Sequence, residues 1–523
     1  MIKDPEVVEQ LLSVTMGFFF PGSDFLLVAG VLVYFLYRYA TSTYSFWADR
    51  KVPFLKPVPF FGNLWKRIIR KTTTIDDMQM QYEFFGDNKY GGTFLFRKPN
   101  LFIKDPQLVE QVLIKDFSTF YNRSLNPDPK ISPLNKNLLT LQDAQWKNLR
   151  SKLTPAFSSG KLKVIHQELI QCCEELTKHL SSYADTGEPL ETKKTLSRFI
   201  VYAIGSIAFG LKLDTLNDPN CEFGKVADSV FKMTFLKSLL GFLRMGFPSL
   251  GRLVDAVGRL FGKDGSDNES KIFIMNVVKD TVEYREKNNI QRNDFLQIMM
   301  ELRKQDANSK DEMKFDLELM GANAFVFLLA GYDTAAGTMS FVLYELAAHQ
   351  EIQERLLEEI VEVLKRYSGD LTYEAVKEMK YLDQILSETL RLFPPIPSTF
   401  RVSRSPYQIP GTSLLLPAGS TVTVPIYSLH HDAKYFPDPE KFDPDRFAED
   451  SKIVKGTYLP FGDGPRICIA QRFAKLEIKL AVIKMLLEYK FTVNEKTKTP
   501  FTFDRAFFLN PTGGIWLNLS RRT

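Results

Sequence analysis

Long segments with helical periodicity dominate the pattern of apolar and polar residues along the chain. Apolar side chains recur at spacings of three and four residues over stretches of several turns. The predicted helices are Lys161–Tyr183, Leu190–Phe209, Asp316–Leu346, Ile352–Tyr367, Tyr373–Phe393 and Arg472–Leu487. Shorter runs predict strands at Gly92–Phe96, Leu101–Ile103, Ser420–Pro425, Phe491–Val493 and Ile515–Leu517. The pattern therefore predicts one large domain that is mainly α with small β-sheets, an α+β fold.

Near the N-terminus, an apolar run covers Leu11–Tyr37 and contains a single charged residue, Asp24. One interpretation is a membrane-anchoring helix that is capped by Ser23 or Asp24 and covers about Phe25–Ala40. The other is a kinked span that already begins at residue 11. A cleaved signal peptide fits poorly, because acidic residues stand where its basic region belongs. Basic residues after the apolar run favour a cytosolic body under the positive-inside rule.

A proline-rich segment follows the apolar run. Pro53, Pro57 and Pro59 stiffen it, and it lacks the glycine and serine of a flexible linker. The sequence therefore predicts three parts. Residues 1–40 form a leader and transmembrane anchor, residues 41–63 a proline-rich hinge, and residues 64–523 one large domain.

Composition excludes several classes of function. Lys and Arg number 67 against 62 Asp and Glu, too small an excess over 523 residues for a nucleic-acid-binding face. The four cysteines include the adjacent pair Cys172 and Cys173 and predict no disulfide framework. Glycine-rich nucleotide-binding fingerprints are absent, so no NADPH or ATP site is expected. The 43 phenylalanines indicate large apolar volumes, including a pocket as well as a core.

The segment Phe461-Gly-Asp-Gly-Pro-Arg-Ile-Cys468 carries the sharpest chemical signal. Its glycines allow tight turns and a close approach of the backbone to a flat ligand. Backbone N–H groups near the start of the following helix can stabilise a thiolate. A lone cysteine after a glycine-rich loop is ordinarily structural, but the complete F-x-x-G-x-R-x-C pattern is far more specific.

Three further motifs place polar or charged residues at helical spacing, and each has a simpler structural explanation. Glu388 and Arg391 share a helix face and could form an ordinary surface ion pair. Trp146 and Arg150 could mark the edge of an amphipathic helix. The helix-weakening segment Ala330-Gly-Tyr-Asp-Thr334 could produce a kink through a bond from the threonine to an upstream carbonyl.

Together these motifs resemble the cytochrome P450 superfamily over nearly the whole chain. The similarity is greatest to insect microsomal members that metabolise xenobiotics. It is carried by Phe46-Trp47 with the proline-rich segment after Lys51, by Lys152–Lys163, and by the loop that ends at Cys468. The resemblance implies the cytochrome P450 fold, haem b as cofactor, and a haem-thiolate monooxygenase domain over residues 64–523.

The resemblance also implies roles for individual residues. Cys468 would be the axial thiolate ligand of the haem iron. The other haem-binding residues would be Arg466, Trp146, Arg150, Arg401 and Phe461, with Arg401 preferred to Ser398 as a propionate partner. Thr334 would hold a hydrogen bond beside the iron, and Asp333 would pass protons inward through water. Glu388, Arg391 and Arg446 would form a buried structural triad.

A lipophilic substrate is expected in an aromatic pocket, although any one of these rings is more often part of a core. The predicted pocket residues are Phe117, Phe120, Phe325, Phe327, Phe400, Phe507 and Phe508. Phe231–Leu250 would be a lid that dips into the membrane surface, or else an ordinary amphipathic helix pair.

The resemblance implies insertion of one oxygen atom of O₂ into lipophilic compounds at the endoplasmic reticulum membrane, with the catalytic domain in the cytosol. Electrons would come from an NADPH-dependent cytochrome P450 reductase, with a small b-type haem cytochrome as a further partner. Lys147, Arg472 and Lys475 are candidates for docking the reductase or are ordinary solvated surface residues.

Two alternative functions remain. One is a haem-thiolate isomerase or dehydratase acting on hydroperoxides, and the other is a sequestration protein without turnover. The Asp333–Thr334 pair argues against the first, and the complete motifs argue against the second.

Overall fold

The computed structural model describes residues 23–123, 133–211, 213–218, 221–231, 268–306, 314–505 and 508–522, with isolated positions between 240 and 257. Helices predominate in these residues. They are α1 (Ser23–Thr41), α2 (Trp65–Ile68), α3 (Thr74–Phe84), α4 (Pro106–Glu110), α5 (Asp143–Leu153), α6 (Ser159–Thr186), α7 (Thr192–Phe209), α8 (Glu222–Phe231), α9 (Asn268–Lys287), α10 (Phe295–Asp306), α11 (Leu317–Ala348), α12 (Gln350–Arg366), α13 (Tyr373–Glu378), α14 (Lys380–Leu392), α15 (Ile426–His430) and α16 (Gln471–Glu488). A π-helical turn covers Gln111–Lys115, and 3₁₀ turns cover Pro133–Asn135, Thr154–Phe157, Pro444–Phe447 and Gly464–Arg466.

The strands form small sheets at the edge of the helical body. Their bounds are β1 (Tyr90–Leu95), β2 (Lys98–Ile103), β3 (Leu190–Glu191), β4 (Thr399–Val402), β5 (Tyr407–Gln408), β6 (Leu415–Leu416), β7 (Thr421–Val424), β8 (Tyr489–Val493) and β9 (Trp516–Arg521). The first sheet has the order β1-β2-β7-β4, with β2 and β7 parallel and the other pairs antiparallel. A second sheet has the order β3-β9-β8, and β5 pairs with β6. The expected α+β architecture is confirmed.

The core is organised around α11, whose 32 residues extend about 48 Å. Asp316 caps its start by accepting the Leu319 N–H at 2.8 Å. The helix is buried over most of its circumference and packs against α7, α9, α14 and α16. A separate apolar cluster lies under the first sheet. Because α11 is surrounded on most sides, any open space along it marks a cavity.

Most predicted helices match the observed ones within a few residues, but the helix predicted over Tyr373–Phe393 is wrong in one respect. It divides into α13 and α14 at Met379, whose ψ of 85° is not helical. Glu359 of α12 accepts the backbone N–H groups of Tyr381 and Leu382 at 2.7 and 3.0 Å. A carboxylate from another helix thus caps the start of α14, a tertiary contact that periodicity does not reveal.

The N-terminal helix α1 projects apolar side chains in all directions. Leu26 through Leu36 are largely exposed; Leu26, for example, is 72% exposed. The kinked alternative that begins at residue 11 lies outside the described residues. Among the described helices, α11 alone is long and apolar enough to cross a bilayer, but 72% of its most apolar part is buried in the protein. α1 contributes a shorter apolar helix, Leu26–Thr41.

The segment after α1 is fastened to the first sheet. Trp47 is 1% exposed and donates from Nε1 to the Thr93 carbonyl at 2.9 Å. Arg97, in the turn between β1 and β2, lies over the Tyr39 ring at 3.5 Å and donates to the Ser42 hydroxyl at 2.8 Å. The proline-rich residues continue along β1 through backbone hydrogen bonds to Gly92 and Phe94. The division at residues 40 and 63 remains a prediction.

Candidate active site

The loop before α16 holds Cys468 at the surface of an internal space. Its backbone N–H donates to the Phe461 carbonyl at 3.0 Å, which closes the loop. The Cys468 side chain is solvent-accessible, yet the surrounding protein raises the pKa of the thiol by desolvation. The Ala470 N–H, Arg150 and Arg123 act in the opposite direction and favour the thiolate. A group that is accessible but surrounded by protein faces a cavity.

The glycines of this loop are required for different reasons. Gly464 has φ +70°, and a Cβ there would lie 1.9 Å from the Leu113 carbonyl oxygen in the π-helical turn. Gly462 has φ +72°, but a Cβ there would have nothing within 4 Å. The loop is therefore pressed against residues 111–115 at one glycine and borders open space at the other.

Arg466 lies inside the protein beneath the same loop. It is 3% exposed and donates to the backbone carbonyls of Tyr121 and Leu141 at 3.2 and 3.1 Å. Its guanidinium carbon lies 4.0 Å from the centre of the Trp146 ring. Nη1 of Arg466 has no hydrogen-bond partner among the described residues. Two of the predicted haem-binding residues thus contact each other directly.

Three more arginines surround Arg466. Arg401 is 1% exposed with an unpartnered Nε, and Arg123 donates to the Arg466 carbonyl at 3.2 Å. Burial, reinforced by repulsion among these cations, lowers the pKa of Arg401 and of Arg466 to about 9. Burial also lowers the pKa of Arg123 to about 10, and it lowers that of Arg150. In the part of the chain that the structure describes, none of the four forms an ion pair with a carboxylate.

Glu388, Arg391 and Arg446 meet in one cluster, in which the side chains of Glu388 and Arg391 are fully buried and that of Arg446 is 13% exposed. Arg391 makes two bonds of 2.7 Å to the Glu388 carboxylate, and Arg446 Nε lies 3.3 Å from the same group. The remaining donors of Arg391 bond to the carbonyls of His430, Pro439 and Lys441. The simple surface ion pair considered for the sequence is therefore wrong, because both side chains are 0% exposed. The cluster ties α14 to the segment before the Cys468 loop.

The motif in the middle of α11 borders open space. Ala330 is exposed although it lies halfway along a core helix. The Thr334 hydroxyl donates to the Ala330 carbonyl at 2.6 Å, and the helix continues through this point. Gly331 has a packing role, because a Cβ there would lie 2.8 Å from the Ile204 side chain of α7. Asp333 is buried and pairs with Lys193 of α7 at 2.5 Å.

The predicted pocket phenylalanines do not form one group. The prediction of Phe120 as a pocket residue is wrong, because its side chain is 0% exposed and its ring centre lies 4.8 Å from that of Tyr407. Phe327 packs against the Phe295 and Phe157 rings at 4.5 and 5.6 Å. Phe325 lies about 140° around α11 from Ala330, away from its open face.

The remaining four candidates are scattered. Phe117 packs against Tyr121 and Trp146, next to the arginines. Phe400 lies half-buried on β4 opposite Thr423, and Phe508 is also half-buried. Phe507 lies outside the described residues. The predicted lid, Phe231–Leu250, lies largely outside them and stays a prediction.

Comparison with known proteins assigns the family. A family model described as Cytochrome P450 matches residues 52–518. The chain is 39% identical over 493 residues to "Probable cytochrome P450 6a13" of Drosophila melanogaster, covering 94% of this chain and 97% of that protein. The chain belongs to the cytochrome P450 family. It is therefore a haem-binding monooxygenase, as the motifs imply.

Two other relatives are similar over nearly the same length. "Cytochrome P450 6j1" of Blattella germanica is 36% identical over 490 residues, covering 93% of this chain and 95% of that protein. "Cytochrome P450 6a2" of Drosophila melanogaster is 34% identical over 512 residues, covering 94% of this chain and 98% of that protein. The expected similarity to insect cytochromes P450 is confirmed.

The residues of this site fit haem. Within the described residues, the four arginines have no carboxylate partner and include buried N–H groups without a hydrogen-bond partner. They suit the two carboxylates of the propionate edge, because buried charges require opposite charges. An accessible thiol next to a tight glycine loop suits an axial ligand.

Two residues at the site do not stand out in the sequence. Arg123 lies in an irregular segment without periodicity, so nothing in the sequence indicates which way its side chain points. Lys193 could have been noticed, because it lies in the first turn of a helix, where a cation opposes the helix dipole. An unfavourable charge at that position indicates a tertiary partner, here Asp333.

Proposed function

We propose that this cytochrome P450 is a membrane-bound monooxygenase of lipophilic small molecules, xenobiotics among them, that receives electrons from an NADPH-dependent reductase. Cys468 is the axial ligand in this proposal. Arg123, Arg150, Arg401 and Arg466 hold the propionates, and Trp146 supports Arg466. The observation that carries the proposal is the group of four arginines beneath the Cys468 loop, which have no carboxylate partner in the part of the chain that the structure describes.

Haem with a thiolate ligand supplies activation of O₂ and transfer of one oxygen atom to the substrate. The protein contributes an apolar site and control of protons. Thr334 presents a hydroxyl at the open face of α11, beside the exposed Ala330. The preceding residue, Asp333, is buried and pairs with Lys193 of α7, whose side chain is 22% exposed. This arrangement suits a path by which protons enter from solvent.

Substrates reach the site from the bilayer in this proposal. α1 presents apolar side chains in all directions, as a helix in lipid does. Two described residues of the predicted lid lie on the same side of the body, with Phe247 against Phe96 at 5.9 Å and Phe242 under Arg67 at 5.6 Å. Phe96 adjoins Arg97, which holds the end of α1. Phe242, Phe247 and the end of α1 therefore lie on the same side of the molecule, which supports the proposed entry from the bilayer.

The Cys468→Ala variant tests the ligand assignment. The reduced carbon monoxide complex should lose the long-wavelength absorption band that is characteristic of thiolate ligation. The Cys221→Ala variant is a matched control because Cys221 lies on the loop before α8, and it should keep the band. Retention of the band by Cys468→Ala would refute the assignment.

Turnover assays test the reaction. Purified protein with reductase and NADPH should oxidise lipophilic substrates and consume O₂. Turnover of a fatty-acid hydroperoxide with none in the presence of NADPH and reductase would instead support the isomerase alternative. NADPH consumption that no ligand increases would support sequestration. Charge reversal at the exposed Lys147 should raise the reductase concentration needed for half-maximal rate, since reductase docking is electrostatic in this proposal.

A further inference from the structure

His430, the last residue of α15, makes a hydrogen bond with each of its ring nitrogens. It is 0% exposed. Nδ1 lies 3.1 Å from the Arg391 carbonyl oxygen, and the Leu459 backbone N–H donates to Nε2 with an N···N distance of 2.8 Å. A buried ring with both nitrogens engaged is fixed in orientation. The haem-binding pattern of the sequence did not include it.

The two partners decide which nitrogen of His430 carries the proton. A backbone N–H can only donate, so Nε2 must be the acceptor for Leu459. Nδ1 therefore holds the proton and donates to the carbonyl of Arg391. Burial lowers the pKa of His430 to about 3, so the ring stays neutral at physiological pH. A charged ring would have no lone pair for the Leu459 amide.

His430 is connected on one side to the buried triad. Its own carbonyl accepts a bond from Arg391 Nη1 at 3.0 Å, so the two residues are joined reciprocally. The ring also stacks on Tyr458 at 5.4 Å, and the Tyr458 hydroxyl donates to the Ser387 carbonyl at 3.0 Å. The segment that precedes the Cys468 loop is thus held to α14 at two neighbouring residues.

On its other side, His430 is connected to Cys468 through short backbone links. The Leu459 carbonyl accepts the Gly462 N–H at 2.9 Å. The Phe461 carbonyl accepts the Cys468 N–H at 3.0 Å. Leu459 is 1% exposed, so its amide has no access to water as an alternative partner. Loss of the imidazole would leave the first backbone donor of this loop unpaired.

We propose that His430 is a positioning residue that fixes the start of the Cys468 loop against the Glu388–Arg391–Arg446 triad and thereby holds the thiolate in place. The inference rests on the proposed ligand role of Cys468. The triad then acts on the iron ligand through one imidazole ring, and not only through the packing of its helix.

Two substitutions separate the two bonds of the ring. Asparagine places its amide near the position of Nδ1 and cannot reach Leu459. Glutamine places its carbonyl oxygen near the position of Nε2 and can accept the Leu459 N–H. In His430→Asn, the ratio of thiolate-ligated to thiolate-free reduced carbon monoxide complex should fall roughly tenfold, because a buried amide loses its acceptor. His430→Gln should stay within about twofold of the wild-type ratio.

The neighbouring His431→Asn variant is the matched control. The His431 ring bonds to the Tyr427 carbonyl at 2.9 Å and stacks on Tyr427, without a bond to Leu459. The His431→Asn protein should show the same ratio of thiolate-ligated to thiolate-free carbon monoxide complex as the wild type. Equal losses in His430→Asn and His430→Gln would overturn the proposal. So would a His430→Asn protein that melts earlier but keeps the wild-type ratio, since that indicates a purely structural role.

Hydrogen exchange of the wild-type protein tests the same bond without a substitution. The Leu459 amide should exchange as slowly as the buried backbone amides of α14. Fast exchange at Leu459 would overturn the proposal even if His430→Asn failed to fold. A wild-type protein without the thiolate band would instead refute the function of Cys468, so the two failures are distinguishable.

Discussion

At the scale of single residues, the partner of an acid decides what that acid can do. Asp333 is 6% exposed and lies 2.5 Å from the Lys193 ammonium, which comes from another helix. A buried carboxylate that loses its cation must find water, take up a proton or move. We therefore expect Lys193→Gln to lower the product formed per NADPH consumed by roughly tenfold, while haem binding is unchanged. The ratio is measured in the reconstituted system with reductase.

Lys194→Gln provides the control for this prediction. Lys194 is the next residue of α7 and its side chain is exposed. The substitution changes the net charge equally but leaves the Asp333 ion pair intact. An equal fall in coupling for both variants would indicate a general charge effect and contradict the specific role of Lys193.

Phe120 and Ala330 show how burial separates folding from selectivity. Phe120 is 0% exposed, so Phe120→Ala should cost about 3–5 kcal/mol of unfolding free energy without changing relative rates among substrates. Ala330 is exposed on the open face of α11, so Ala330→Val should change relative rates among substrates and leave stability nearly unchanged. Thermal melting and a substrate panel, applied to both variants, distinguish these outcomes; a reversed pattern would contradict the assignment of the cavity.

At the scale of secondary structure, the contact between the Cys468 loop and the π-helical turn can be tested with two glycines of similar positive φ. Gly462→Ala adds only left-handed strain at φ +72°, about 1 kcal/mol. Gly464→Ala adds the same strain and a clash with the Leu113 carbonyl. We expect haem content per protein to fall several times further for Gly464→Ala. Similar losses in both variants would show that the contact with Leu113 is unimportant.

Elements with strong periodicity were predictable, and those fixed by tertiary contacts were not. α11 and α16 match their predictions within two residues, because their apolar pattern repeats over many turns. The break between α13 and α14 depends on Glu359, a residue of another helix. Cys468 and Arg466 belong to a continuous motif. Arg123 lies in a loop whose path follows from contacts distant in sequence, so its place near the other arginines could not be predicted.

At the scale of the whole molecule, one buried acid should make stability depend on pH. Glu477 of α16 is 1% exposed, one of its oxygens has no hydrogen-bond partner among the described residues, and burial raises its pKa from 4.5 to about 8. The folded protein therefore retains this proton where the unfolded chain releases it. Its contribution to stability is present below pH 4.5 and is lost as pH rises to about 8.

Glu477→Gln removes this titration and should stabilise the protein by roughly 2–4 kcal/mol above the folded-state pKa, with little effect at acid pH. Urea midpoints measured across this pH range check the result. Glu174→Gln, at an exposed position paired with Lys484, is the control, and its urea midpoint should stay close to that of the wild type. A constant difference between Glu477→Gln and wild type at every pH would contradict the buried-acid explanation.

The attachment of α1 also affects how the protein can be handled. The contacts of Trp47 and Arg97 make the residues after α1 part of the folded body, so in the described residues 42–63 no free tether separates α1 from that body. With the proposed membrane anchor in place, protease treatment of the membranes should therefore not release an intact haem domain by a cut near residues 41–63. A shortened version intended for crystallisation should begin upstream of Trp47, since a later start would remove the indole that packs directly against Gly92.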